Sequence, residues 1–303
     1  MSGKRITMRD IAKEAGVSAA AVSYVLNYSD KEKISHETRM RIFQAANKLK
    51  YVPNMTAKSF LNQRSYMVGI FINMGNQDKK SKIYQYYDLV RELQVSLYRK
   101  GYDAVLLADL EIEKDVTGKR HSLDTVFIID MDEERIKEIA VQFFVPTILI
   151  DCHIDDPIFC KILTSYESVL KLAEEQLGHD FYVVMEDYAD KNVFKTIADK
   201  ISSNDIFVNR YDADITQFLR EHQHQKGLVI GELLGIQVEN YVENRNISVV
   251  TNSLKDSMLL TDTKTIVVSN KKKAEKAAEI MERLLRLDNP GGVEHIAYIL
   301  PDL

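Results

Sequence analysis

Residues 16–27 read GVSAAAVSYVLN, with three alanines in a row, two serines, a tyrosine and an asparagine, and no Asp, Glu, Lys or Arg. These side chains suit surface reading better than proton transfer. Alanines keep one face of a helix low, so its backbone lies deep against whatever it meets. Their methyls match the C5-methyl of thymine, while Ser23, Tyr24 and Asn27 supply hydrogen bonds to base edges or phosphates. Duplex DNA presents such a target in its major groove.

Other chemistry is thinly represented. The chain has no phosphate-cradling glycine loop, no nucleophile elbow and no His/Cys/Asp cluster at metal-ligand spacing. His222 and His224 stand two apart, which on a helix turns them to different sides. Cys152 and Cys160 are the only cysteines, too few for a zinc site or a disulfide framework, and read as small buried thiols. The tyrosines of IYQYYDLV could stack on a sugar ring, but fit better as a helix face packing on a sheet or on a second subunit. No enzyme activity, cofactor or metal is expected.

Charge is unevenly shared. The net charge of the 303 residues is −5, with 40 Lys+Arg against 45 Asp+Glu. Residues 1–65 hold twelve Lys+Arg and five Asp+Glu, which is +7, so the remainder carries −12. A basic head on an acidic body is the distribution expected when one end meets a polyanion and the rest must not stick to it. No apolar run approaches the roughly 20 residues of a membrane span, and the N-terminus lacks a signal-peptide core, so a cytoplasmic protein with no membrane partner is expected.

The elements that must hold the reading surface can be placed from caps and periodicity. TMRDIAKEAG starts with a capping box, Thr7 with Asp10, carries Ile11, Ala12 and Ala15 at helical spacing and stops at Gly16. A tight turn at Gly16 and Val17 leads to Ser18, which caps a second helix whose buried stripe is Val22, Val25 and Leu26. Ala19, Ala20, Ser23, Tyr24 and Asn27 are left on its other side. Ser35 caps a third helix, HETRMRIFQAANKLKY, with Met40, Ile42, Phe43, Ala46 and Leu49 as inward candidates. Two short helices about a glycine turn make a helix-turn-helix, whose second helix enters the groove. Asn54 caps a short run able to be helical, with a polar exit, that is too short to be stable alone.

From Met67 strands alternate with helices, the pattern of a parallel sheet covered on both faces. The strands are MVGIFIN, YDAVLLAD, DTVFIID, VPTILID and KILTS, then FYVVME, DIFVNR, GLVIGE and ISVVTN. Helices are expected in IYQYYDLVRELQVSLYRKG, VLKLAEEQLGH, KNVFKTIADKI, ITQFLREHQHQ and KKKAEKAAEIMERLLR. GGVEHIAYILPDL reads as a closing strand pair or tail.

These segments resemble the LacI/GalR transcriptional regulators. The likeness is dense over residues 6–72: a Thr cap, Asp-Ile-Ala, Ala-Gly-Val-Ser, Val-Ser-x-Val-Leu-Asn, Ser-x-x-Thr-Arg and Tyr-x-Pro-Asn follow in order. The resemblance implies a helix-turn-helix head over 1–53, a hinge over 54–65 and a periplasmic-binding-protein-like body over 66–303. In that body two Rossmann-like α/β subdomains are expected, one over about 66–162 plus part of 255–287, the other over about 163–254 plus the C-terminal tail. It further implies base-facing roles for Ala19, Ala20, Ser23 and Tyr24. Backbone contacts fall to Thr7, Ser18, Asn27, Ser35 and Asn54. In the hinge Ala57 matches, and Phe60 stands where a leucine usually wedges into the minor groove. Tyr24 stands where arginine is common and cannot make that residue's bidentate pair with guanine, so a different operator step is expected.

The implied effector cleft departs most from the family. Asn73 and Asp151 fall at positions that line it. The usual Asn-Asp after GLVI is replaced by Gly231-Glu232, and the usual Gly-x-Asp-Asp after ISVV by Thr251-Asn252-Ser253, which makes Glu232 and Ser253 the further candidates. Sugar hydroxyls need several fixed partners together. The expectation is a homodimeric regulator, a repressor of carbohydrate genes on a palindromic operator. Its body answers a small-molecule effector, a sugar or sugar phosphate, or alternatively a partner protein or no sugar at all.

Overall fold

The computed structural model describes residues 6–26, 34–49, 64–73, 80–107, 123–143, 145–253, 257–286 and 295–302. The chain divides into two compact units, Met1–Gln63 and Arg64–Leu303. Each unit has its own core.

In the first unit α1 spans Met8–Ala15, α2 Ala19–Leu26 and α3 His36–Lys48. The capping box is present: the Asp10 N–H donates to Thr7 Oγ1, and the Thr7 N–H donates to Asp10 Oδ2 at 2.8 Å. Gly16 ends α1 at φ +63°, a left-handed position that a side chain would strain. Ile11, Val22, Val25 and Ile42 are fully inside, with Ala12, Ala15, Ala45 and Ala46 beside them. Each large aliphatic in this set contributes on the order of 1.5–3 kcal/mol by leaving water. Ile42 and Ala46 therefore turn inward as expected, and Leu49 packs against the same core. The side chains of Leu26, Met40 and Phe43 lie outside the described residues.

The second unit opens with β1, Met67–Ile72, followed by α4, Lys80–Arg99, and β2, Asp103–Leu107. β3 is Thr125–Ile129, α5 Glu133–Phe143, β4 Thr147–Ile150 and β5 Cys160–Thr164. Then come α6, Tyr166–Leu177, β6, Phe181–Glu186, α7, Lys191–Ala198, and β7, Ile206–Asn209. α8 is Ile215–Glu221, β8 Lys226–Ile230, α9 Glu232–Glu239 and β9 Ile247–Thr251. β10, Lys264–Val267, α10, Asn270–Arg286, and β11, Ile296–Ile299, complete the unit.

The strands form two parallel sheets, in the orders β11-β5-β4-β3-β1-β2 and β10-β9-β8-β6-β7. β3, β4, β5 and β6 are buried along their whole length, which is why they read as unbroken apolar runs. In both sheets the order reverses beside the first strand, at β1/β3 and at β6/β8, and crevices at the carboxyl ends of such strands are where open α/β sheets take ligands.

Three passages of chain join the sheets. One is at Ser165, between β5 and α6. The next is at Val268 and Ser269, between β10 and α10. The last follows β11, where the Asp302 N–H reaches the carbonyl of Val267 at 2.8 Å. This corrects the expected place of the tail: residues 296–299 are an edge strand of the first sheet, paired with β5, and only the last residues meet the second. Three elements carried no expectation: α5, α9 and β10. Gly227, the second residue of β8, has no room for a side chain, because the ring of Tyr182 lies 2.3 Å from where a Cβ would stand.

Candidate functional site

In the first unit α2, Ala19–Leu26, turns Val22 and Val25 inward and leaves the candidate reading residues on its other side. The N–H of Ala21 donates to Ser18 Oγ at 3.0 Å, so the hydroxyl caps the start of the helix without adding bulk in front of it. Ala19 and Ala20 are exposed, Ser23 and Tyr24 half-buried, and Val22 and Val25 point into the core. Thr7 and Ser35 serve as caps on α1 and α3; Ser35 Oγ accepts from the N–H of Thr38 at 3.3 Å and donates to Thr38 Oγ1 at 2.9 Å. Lys48 pairs with Glu14 at 2.6 Å, tying α3 to α1 across an exposed surface. The remaining expected DNA contacts, Asn27, Asn54, Ala57 and Phe60, lie outside the described residues.

The four expected effector residues do not share one cavity. Asp151, which ends β4 at φ +51°, lines a cavity of about 550 Å³ with His153, Ser165, Tyr166, Asp190 and Tyr298. Its carboxylate is already engaged: Oδ1 accepts from the N–H and hydroxyl of Thr164 at 3.0 and 2.8 Å, and Oδ2 lies 2.5 Å from Lys273 Nζ. Glu232 and Ser253 line a second cavity of about 400 Å³, together with Tyr84, Gln85, Asp88 and Glu186. Glu232 accepts from the hydroxyl of Thr251 and the N–H of Met258, both at 2.6 Å. Asn73 follows β1 and lines neither cavity; its N–H donates to the carbonyl of Ile129.

Between the two sheets stands a pair that the sequence reasoning missed. Lys82, in the first turn of α4, and Asp130, which ends β3 at φ +48°, are 2% and 1% exposed. Lys82 Nζ lies 3.0 Å from Asp130 Oδ2 and donates to the carbonyl of Asp187 at 2.8 Å. Asp130 Oδ1 accepts from the N–H groups of Ala189 and Asp190 at 2.8 and 3.4 Å. Burial pushes the Asp130 carboxyl above the usual carboxylate range, and the Lys82 ammonium pulls against that rise. Burial also lifts the phenols of Tyr86, Tyr166 and Tyr188 well above their ordinary value. A signal was present: TVFIID and TILID each close an apolar run on an aspartate, at the sheet edge where ligands and counter-charges gather.

Residues 7–54 match the family model described as "Bacterial regulatory proteins, lacI family". The HTH-type transcriptional regulator RegA of Clostridium saccharobutylicum is 27% identical over 163 residues, 52% of this chain and 46% of that protein. The ribose operon repressor of Halalkalibacterium halodurans is 36% identical over 110 residues, 36% of this chain and 31% of that protein. The chain spans about half the length of the curated relatives it matches. A crystal structure of the lac repressor dimer, bound to operator and an anti-inducer, superposes with a TM-score of 0.68 at 16% identity, over 99% of this chain and 97% of that one. That likeness extends the fold through both sheets of the body. Residues 7–54 are thus similar to the helix-turn-helix of the lacI family of bacterial regulatory proteins, and the second unit has the periplasmic-binding-protein-like fold of the lac repressor.

Proposed function

We propose that this chain is a sequence-specific DNA-binding transcriptional regulator, a repressor of carbohydrate uptake or metabolism genes that works as a homodimer on a palindromic operator. The observation that carries this reading is the outer face of α2, where exposed Ala19 and Ala20 follow the Ser18 cap and no core function claims them. Ala19, Ala20, Ser23 and Tyr24 read base edges or nearby phosphates, and Thr7, Ser18 and Ser35 hold the backbone. The names of its relatives, a ribose operon repressor and a sucrose operon repressor, support carbohydrate genes as the target. An exposed apolar stripe along α4, Tyr84, Tyr87, Val95 and Tyr98, supports a second copy as partner. One small head buries too little for specific binding, and two-fold pairing doubles the contacts.

A small-molecule effector acts in the body through the cavity of Glu232 and Ser253. A second reading, that the body senses a partner protein or no sugar, is favoured by the Lys82–Asp130 and Asp151–Lys273 pairs, which already occupy the polar groups a sugar would need. Sugars that raise the melting temperature of the full chain select the first reading; none doing so selects the second.

Selection of bound duplexes from random DNA, with the full chain and repeated with Tyr24→Ala, tests the regulator. The parent enriches a two-fold symmetric site, and the variant changes the ranking of sites at one step per half-site. No enrichment over bulk competitor removes the reading, and an unchanged ranking removes Tyr24 from the bases.

A further inference from the structure

Between the two sheets, beside the cavities lined by Asp151 and by Glu232, the chain supplies a buried charge pair of its own. Lys82 stands in the first turn of α4, at the positive end of that helix's dipole, and is 2% exposed. An ammonium is disfavoured on both counts, so its partners must compensate for the placement. They come from both subdomains: Asp130 closes β3 of the first sheet, and the Asp187 carbonyl follows β6 of the second. The same Asp130 carboxylate takes the N–H groups of Ala189 and Asp190, which lead into α7 of the second subdomain. One charge pair thus makes three bonds from sheet to sheet. Two further contacts run the same way, from Asn209 Nδ2 to Ser81 Oγ at 3.5 Å and between Gln85 Nε2 and the Tyr188 hydroxyl at 3.2 Å.

We propose that the Lys82–Asp130 pair is a built-in clamp that holds the two subdomains closed with no small molecule between them. Closure is then the resting state of the body, and an effector or partner acts by breaking the pair. The inference deepens the regulator reading by naming how the body is controlled, and rests on it only for the consequence at DNA.

The test uses the full chain with spin labels on cysteines introduced at exposed Glu138 in α5 and Asp212 beyond β7, diluted with unlabelled protein so that each distance is read within one chain. The native cysteines are buried. The parent is expected to give one short distance that pooled sugars and sugar phosphates leave unshortened. Lys82→Met shifts it to longer distances. Because that variant strands a buried carboxylate, Lys82→Met/Asp130→Leu is measured beside it; replacing both charges by apolar groups of like size spares folding while removing all three bonds. A double variant that melts cooperatively and keeps the parent's distance overturns the proposal, as does a parent whose distance shortens when metabolites are added. Retention of duplex DNA is scored on the same samples: a parent that binds no DNA sinks the regulator reading and leaves the distance result standing.

Discussion

The three hydroxyl caps of the first unit show how far a single residue's surroundings can be read from its neighbours in sequence. Thr7, Ser18 and Ser35 each bond a backbone N–H three positions on, so both partners fall within one short window of text. Thr7→Ala should cost the head about 0.5–2 kcal/mol, seen as faster amide hydrogen exchange along α1 in the full chain; unchanged exchange would mean that the capping box is idle. Lys82 and Asp130 are the opposite case. Their partnership depends on β3 lying beside β1 and on the loop after β6 meeting that edge, neither of which leaves a local trace. Asp151 is legible at the end of its strand. Its engagement is not, because Lys273 arrives from α10, a helix that returns to the first subdomain only after the second has been completed.

At the scale of elements, strands buried on both faces announced themselves as apolar runs, and so did the long helices with a stripe every three or four residues. The elements without an expectation are those whose pattern is diluted. α9 carries Gly235 in its middle, a poor helix former kept because Val249 packs where a Cβ would stand, 2.6 Å away. β10 is four residues long and only half buried, so it does not stand out. Gly227 gives this scale its prediction. Gly227→Ala drives a methyl into the ring of Tyr182, which is 1% exposed and packed on Phe218 and His222 and so has little room to yield. The expected loss is about 1–3 kcal/mol in urea unfolding of the body. A midpoint equal to the parent's would show that the ring moves freely.

For the whole molecule the deciding quantity is the division of charge, +7 on residues 1–65 and −12 beyond. If the proposed regulator meets DNA, its acidic body repels the phosphate backbone while the basic head attracts it, which favours approach with the head foremost. Operator binding should weaken steeply with salt, log K falling against log salt with a slope near −0.9 for each phosphate neutralised. Replacing Lys4 and Arg5 by alanine should flatten that slope by about one unit for each phosphate left without its cation, while leaving the ranking of sites unchanged. Filter-binding titrations across a salt series measure both, and a parent slope near zero would dismiss the electrostatic account. This division was legible from composition alone, since charge counts require no knowledge of which strands are neighbours.

The three passages between the sheets have a mechanical corollary. Ser165 donates to the carbonyl of Ile299, and Asp302 to that of Val267, so the passages run side by side as a single laced seam. Three passages laced side by side would act like a door hung on three pins, free to turn about one line and stiff to shear or twist, so an event at the gap would be passed on as one angle.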